Sequence, residues 1–169
     1  MTDFYIFRHG DTVRTGSIVI KFFGYIRDSH HIKILPKAVP ALERVGKFLK
    51  DIHTDINFRS PYLRCDESTK IVGTISGKKY LVDDRIRELE HNGESFSSFK
   101  GRVNSFLSEI QEKNYSAVSI CTHGAVMAAI KHLTTTGSFH FYQVFDYPPP
   151  GQMIIIKNRK LSQINFNSI

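Results

Sequence analysis

An imidazole and a guanidinium stand side by side in Arg8-His9-Gly10, directly after the apolar run Phe4-Tyr5-Ile6-Phe7. A second imidazole opens His123-Gly124, after the apolar run Ala117-Val118-Ser119-Ile120-Cys121. Between them, Ser60-Pro61-Tyr62-Leu63-Arg64 follows the short run Ile56-Asn57-Phe58 and supplies a second guanidinium. Buried strands that stop at such residues deliver them to the carboxyl edge of an α/β sheet, where ligands bind. Two imidazoles and two guanidiniums gathered at one edge make a pocket for a phosphoryl group.

Phosphoryl transfer needs donors arranged around three equatorial oxygens and a nucleophile in line with the leaving oxygen. Arg8 and Arg64 suit the first task, because a guanidinium is a planar fork that stays charged at any working pH. His9 suits the second. Neutral imidazole accepts a phosphoryl group, neighbouring guanidiniums favour the unprotonated ring, and Gly10 allows close backbone approach. His123 can donate to an equatorial oxygen, and the Gly124 amide, opening a helix, adds another donor. The departing alkoxide needs an acid, and Glu88, Glu90 and Glu94 lie in the polar stretch at residues 85–94. Each short motif is weak alone. Their order, each after an apolar run, is what carries the expectation.

The elements that must position these residues are legible from periodicity. Residues 3–8, 56–58, 79–82 and 117–121 read as strands, and residues 36–52, 62–76, 96–112 and 125–133 as helices. Phe99, Val103, Phe106, Leu107 and Ile110 fall on one helical face, and Ile71, Val72 and Ile75 are the expected buried residues of the preceding helix. Pro36 and Pro40 fit only in or near a first helical turn. After Pro148-Pro149-Pro150-Gly151, residues 153–156 and 161–166 read as a closing hairpin. The expected fold is a three-layer α/β/α sandwich, with a mostly parallel sheet and an antiparallel carboxyl-terminal edge. Residues 1–169 read as one domain. Residues 14–35 fit neither period and read as a loop covering the site.

Composition narrows the alternatives. A hydrophobic fraction of 41% and a charged fraction of 23% are those of a soluble globular protein. No apolar stretch approaches the roughly 20 residues of a membrane span, and the amino terminus lacks a secretory pattern, so a cytoplasmic protein is expected. Neither Cys65 nor Cys121 has an arginine six residues on, as a thiolate phosphatase loop requires; Ile71 and Met127 stand there. Both cysteines read as small buried hydrophobes. His30, His31 and His91 lack partners at metal-ligand spacing and read as surface residues. The net charge is +7, with five basic residues against one acid between Arg14 and Lys37. That balance suits an anionic small substrate, whereas nucleic acid is disfavoured because no recognition motif accompanies the charge.

The motifs resemble those of the histidine phosphatase superfamily, also called phosphoglycerate-mutase-like. Phe7-Arg8-His9-Gly10-Asp11-Thr12 is similar to the family signature, with Asp11 where glutamate is commoner. Leu35-Pro36-Lys37-Ala38 resembles the family's leucine-led start to its first helix, with Ala38 in place of glycine. Ser60-Pro61-Tyr62-Leu63-Arg64 resembles the second arginine motif, and Thr122-His123-Gly124 the second histidine motif. The resemblance implies a covalent phosphohistidine at His9, a pocket of Arg8, Arg64 and His123, a proton donor after the fourth strand, and neither metal nor cofactor. The family's acidic motif, Leu-x-Glu-x-x-x-Gly, fits imperfectly: Gly93 is five residues after Glu88 and three after Glu90. Arg85-Ile86-Arg87-Glu88 aligns best on its amino-terminal side, which favours Glu88. Thr15 occupies the position usually held by asparagine, so Thr15 or Arg14 is the expected further phosphate contact.

The expected activity is hydrolysis of a phosphomonoester. A mutase would need larger segments shielding its phosphohistidine from water, and three nearby glutamates favour phosphomonoesters over a phosphohistidine on a partner protein. A non-catalytic phosphate-binding module is the alternative from another class.

Overall fold

The computed structural model describes residues 1–13, 15, 30–89 and 93–167. Six strands form one sheet: β1 (Asp3–Arg8), β2 (Ile56–Arg59), β3 (Leu81–Val82), β4 (Ala117–Thr122), β5 (Gln152–Lys157) and β6 (Lys160–Asn165). Their order is β3-β2-β4-β1-β5-β6. β1 runs parallel to β4, β4 to β2 and β2 to β3, while β5 is antiparallel to both β1 and β6. The expected parallel sheet with an antiparallel edge is thus observed.

Alternation along the strands sorts the core into two halves. Phe4, Ile6, Val118, Ile120, Ile154 and Ile156 pack on one face with Phe99, Val103 and Phe106 of α3 (Phe96–Glu112) and Val126, Met127 and Ile130 of α4 (Gly124–Thr135). Tyr5, Phe7, Ala117, Cys121, Met153 and Ile155 pack on the other with Leu42, Val45 and Leu49 of α1 (Val39–Lys50) and Cys65 and Val72 of α2 (Leu63–Ser76). Helices cover both faces, which makes three layers. No helix of the described residues is long and apolar enough to cross a membrane.

Several boundaries differ from expectation for identifiable reasons. Pro36–Ala38 forms a 3₁₀ turn ahead of α1, because Pro40 can lie only in the first turn of the α-helix that follows. Only Leu81 and Val82 pair in β3, an exposed edge held to Phe58 and Arg59 of β2. α2 buries Arg64, Cys65, Ser68, Thr69 and Val72, whereas Ile71 and Ile75 are only partly buried. Its inward face is largely polar because its first turns reach the sheet edge where the motifs meet.

Candidate active site

Strand register brings the motifs to one level. Arg8 pairs with Thr122, the next residue His9 donates its amide to the Thr122 carbonyl at 3.1 Å, and His123 follows immediately. On the other side of β4, Arg59 pairs with Cys121, and the Ser60 amide donates to the Cys121 carbonyl at 3.1 Å. His9, Ser60 and His123 therefore leave three adjacent parallel strands side by side. The rings of His9 and His123 lie 5.1 Å apart and both side chains are buried.

The His9 tautomer follows from its partners. Nδ1 sits 2.8 Å from the Gly10 carbonyl oxygen, which can only accept, so Nδ1 carries the proton. Nε2 faces Arg64 Nε at 3.1 Å, which can only donate, so Nε2 holds the lone pair. The ring is neutral, with its nucleophilic nitrogen towards Arg64. The Gly10 amide donates to Ser68 Oγ at 2.9 Å, and Ser68 in turn donates to the Arg64 carbonyl at 2.6 Å. The turn after β1 is thereby tied to α2. A Cβ at Gly10 would lie 2.8 Å from that of Ala38, so this turn also packs tightly on the start of α1.

His123 is fully buried between Ser60 and Glu88. Its Nε2 is 2.7 Å from Ser60 Oγ, and its Nδ1 is 3.7 Å from Glu88 Oε2, beyond hydrogen-bond range. Burial, reinforced by the guanidinium charges of Arg64, Arg8 and Arg102, holds its pKa well below the usual histidine value. It is therefore neutral at physiological pH. Among the described residues, His123 Nδ1 and Arg8 Nε are the two buried side-chain polar atoms without a hydrogen-bond partner. Leaving such atoms unpaired is costly, and a bound oxyanion would satisfy both.

Aromatic rings wall the site. Tyr62 meets His123 edge-to-face at 5.1 Å and lies 4.7 Å beneath the Arg64 guanidinium, while Tyr147 lies 5.0 Å from that of Arg8. A Cβ at Gly124 would come within 2.4 Å of the Tyr147 ring, so glycine admits that ring against the start of α4. The first amides of α4 lie beyond His123 without intrahelical partners, as at any helix amino terminus.

The sequence-derived candidates thus divide. His9, His123, Arg64 and Glu88 come together, with Arg8 and Gly124 adjoining them through Tyr147. Glu94 is drawn away: its carboxylate binds Arg102 at 2.6 Å and 2.8 Å and Arg87 at 3.2 Å. Thr15 Oγ lies 2.8 Å from both Asp11 Oδ1 and the Thr12 carbonyl, within its own turn. Arg14, Glu90 and His91 lie outside the described residues, as does most of the expected cover at residues 14–35. The end of that segment docks on α2: the His30 carbonyl accepts from the Leu63 amide at 2.9 Å, and the Ile34 amide donates to Glu67 at 2.9 Å. Ser60, Tyr147 and Arg102 escaped the motif reading. Ser60 stood within a recognised motif, but nothing local marks the other two.

Cys65 Sγ is 3.7 Å from His123 Nε2, yet both cysteines are buried, and burial pushes the Cys121 thiol up from its ordinary range. Among the described residues, no group of three His, Cys, Asp or Glu side chains could hold a metal ion.

Known proteins share this architecture. The sequence model of the histidine phosphatase superfamily (branch 1) matches residues 89–160, and the fold is that of the phosphoglycerate-mutase-like members of that superfamily. The structure is similar to the α-ribazole phosphatase of Shigella flexneri, with TM-score 0.73 and 15% identity over 98% of this chain and 96% of that one. It is similar to the protein histidine phosphatase SixA complexed with tungstate, with TM-score 0.67 and 14% identity over 97% of each chain. It is also similar to a phosphoglycerate mutase of Bacillus anthracis, with TM-score 0.64 and 14% identity over 98% of this chain and 92% of that one. No curated protein matches by sequence.

Proposed function

We propose that this protein is a phosphatase that hydrolyses a phosphomonoester through a phosphohistidine on His9, without a metal. The observation that carries the reading is the enforced tautomer of His9, with its Nε2 lone pair held at Arg64 and its ring 5.1 Å from that of His123. Arg8, Arg64, His123 and the Gly124 amide bind the phosphoryl oxygens. Nε2 of His9 attacks phosphorus as the bond to the leaving oxygen breaks, and Glu88 gives that oxygen its proton. Water then attacks the phosphohistidine, Glu88 takes a proton from it, and phosphate departs with His9 neutral again.

The position of Glu88 favours an ester over a phosphoramidate. An alkoxide leaves poorly without a proton, and the Glu88 carboxylate faces the ring nitrogen of His123 that is open to an oxyanion.

The test is phosphate release by EDTA-treated protein from sugar phosphates, nucleotides, alkyl phosphates and a phosphohistidine peptide. Turnover of at least one monoester, abolished by His9→Ala, is expected. Turnover of the phosphohistidine peptide alone, turnover that survives His9→Ala, or none without added metal would contradict the proposal.

A further inference from the structure

Arg102, on the second turn of α3, spends every donor it has on the stretch that carries Glu88. Its Nε binds Glu94 at 2.6 Å, one terminal nitrogen binds the Arg85 and Arg87 carbonyls at 2.6 Å and 2.8 Å, and the other binds the Glu88 carbonyl at 3.1 Å and Glu94 at 2.8 Å. Five N–H groups thus make five hydrogen bonds, the full capacity of a guanidinium. The side chain is 10% exposed and lies 4.8 Å over the Phe99 ring. Thr122, the last residue of β4, holds the same stretch from beneath by donating to the Ile86 carbonyl at 2.7 Å.

The geometry points to Arg102 as a positioning residue: by gathering the backbone carbonyls of Arg85, Arg87 and Glu88 and the Glu94 carboxylate, it fixes the backbone from which Glu88 faces His123. This rests on the proposed role of Glu88 as proton donor. Glu94 supplies the anchoring counter-charge. A carboxyl that must reach one leaving oxygen gains from a backbone that cannot swing, because small displacements cost much of the benefit of orientation. Lysine could not replace arginine, since an ammonium has three donors and no planar fork.

The experiment compares wild type, Glu88→Gln, Arg102→Lys and the double variant, each with an alkyl phosphate and with a phosphate ester of an activated phenol. Arg102→Lys is expected to lower kcat for the alkyl phosphate by roughly 10–100-fold, as loss of a supporting partner typically does, and to change the activated ester far less. In the Glu88→Gln background it should add nothing. Equal losses on both substrates, or an undiminished loss in that background, would overturn the role of Arg102. Should Glu88→Gln itself lose equally on both, the acid is not Glu88, and both assignments fall together. If Arg102→Lys does not fold, Glu94→Gln takes its place in the same comparison, with the same outcomes deciding.

Discussion

His9 is placed between a carbonyl that only accepts and a guanidinium that only donates, so its neighbours select the tautomer with the proton on Nδ1 and the lone pair on Nε2. Removing Arg64 removes the contact that orients Nε2 and, in the proposed mechanism, a charge-assisted donor to the phosphoryl group. Arg64→Ala should lower kcat by at least the roughly 10²–10³ typical of one such stabilising group. Arg64→Lys should recover little, because an ammonium has no second arm to hold the ring. Steady-state kinetics of both variants check this, and a fully active lysine variant would contradict it. His123 makes a second prediction. Its pKa is held below its ordinary 6.5 by burial first and by nearby cations second. Below that value the unfolded chain takes up a proton that the folded chain refuses, so folding weakens as pH falls from about 6.5 towards the depressed folded value. Urea titrations at several pH values should show this slope in wild type and a shallower one in His123→Asn. Parallel profiles would contradict it.

At the level of elements, the site depends on three parallel strands ending at one level, and on two glycines that let neighbouring segments close in. Gly124 is the sharper case. Alanine there would drive a methyl into the Tyr147 ring, and hence disturb the ring set against Arg8. Gly124→Ala should destabilise by about 1–3 kcal/mol, the usual cost of overpacking, and should raise KM. Unchanged denaturation and kinetics would contradict the close approach. The same elements show what was readable in advance. β1, β4 and α3 carry clean periods, and the motif order placed His9, Arg64 and His123 together. The helix after Ser60-Pro61 was readable as a helix but not in its burial, because Arg64, Cys65, Ser68 and Thr69 turn inward for reasons of chemistry rather than hydrophobicity. Tyr147 and Arg102 reach the site through contacts distant in sequence, which no local period encodes. Among the three glutamates, spacing could rank them only by motif alignment. The structure separates two: Glu88 faces His123, while Glu94 is held by Arg102 and Arg87.

For the whole molecule, a net charge of +7 is expected to bear on capture of an anionic substrate rather than on the fold. With a dianionic substrate, kcat/KM should fall several-fold as ionic strength rises from about 0.01 M to about 0.15 M, as the screening length contracts from ~30 Å to ~8 Å. kcat should change less. A salt-independent kcat/KM would mean that the positive surface does not steer substrate. The sheet order sets the parallel strand ends, and with them both histidines, at one edge. Catalysis is therefore expected from that edge alone. The most direct measurement is capture of the covalent intermediate. Protein mixed with a ³²P-labelled phosphomonoester is quenched in denaturant, digested and mapped. An acid-labile, alkali-stable label is expected on the peptide carrying His9, absent from His9→Ala. A label on any other residue, or one that persists in His9→Ala, would contradict it.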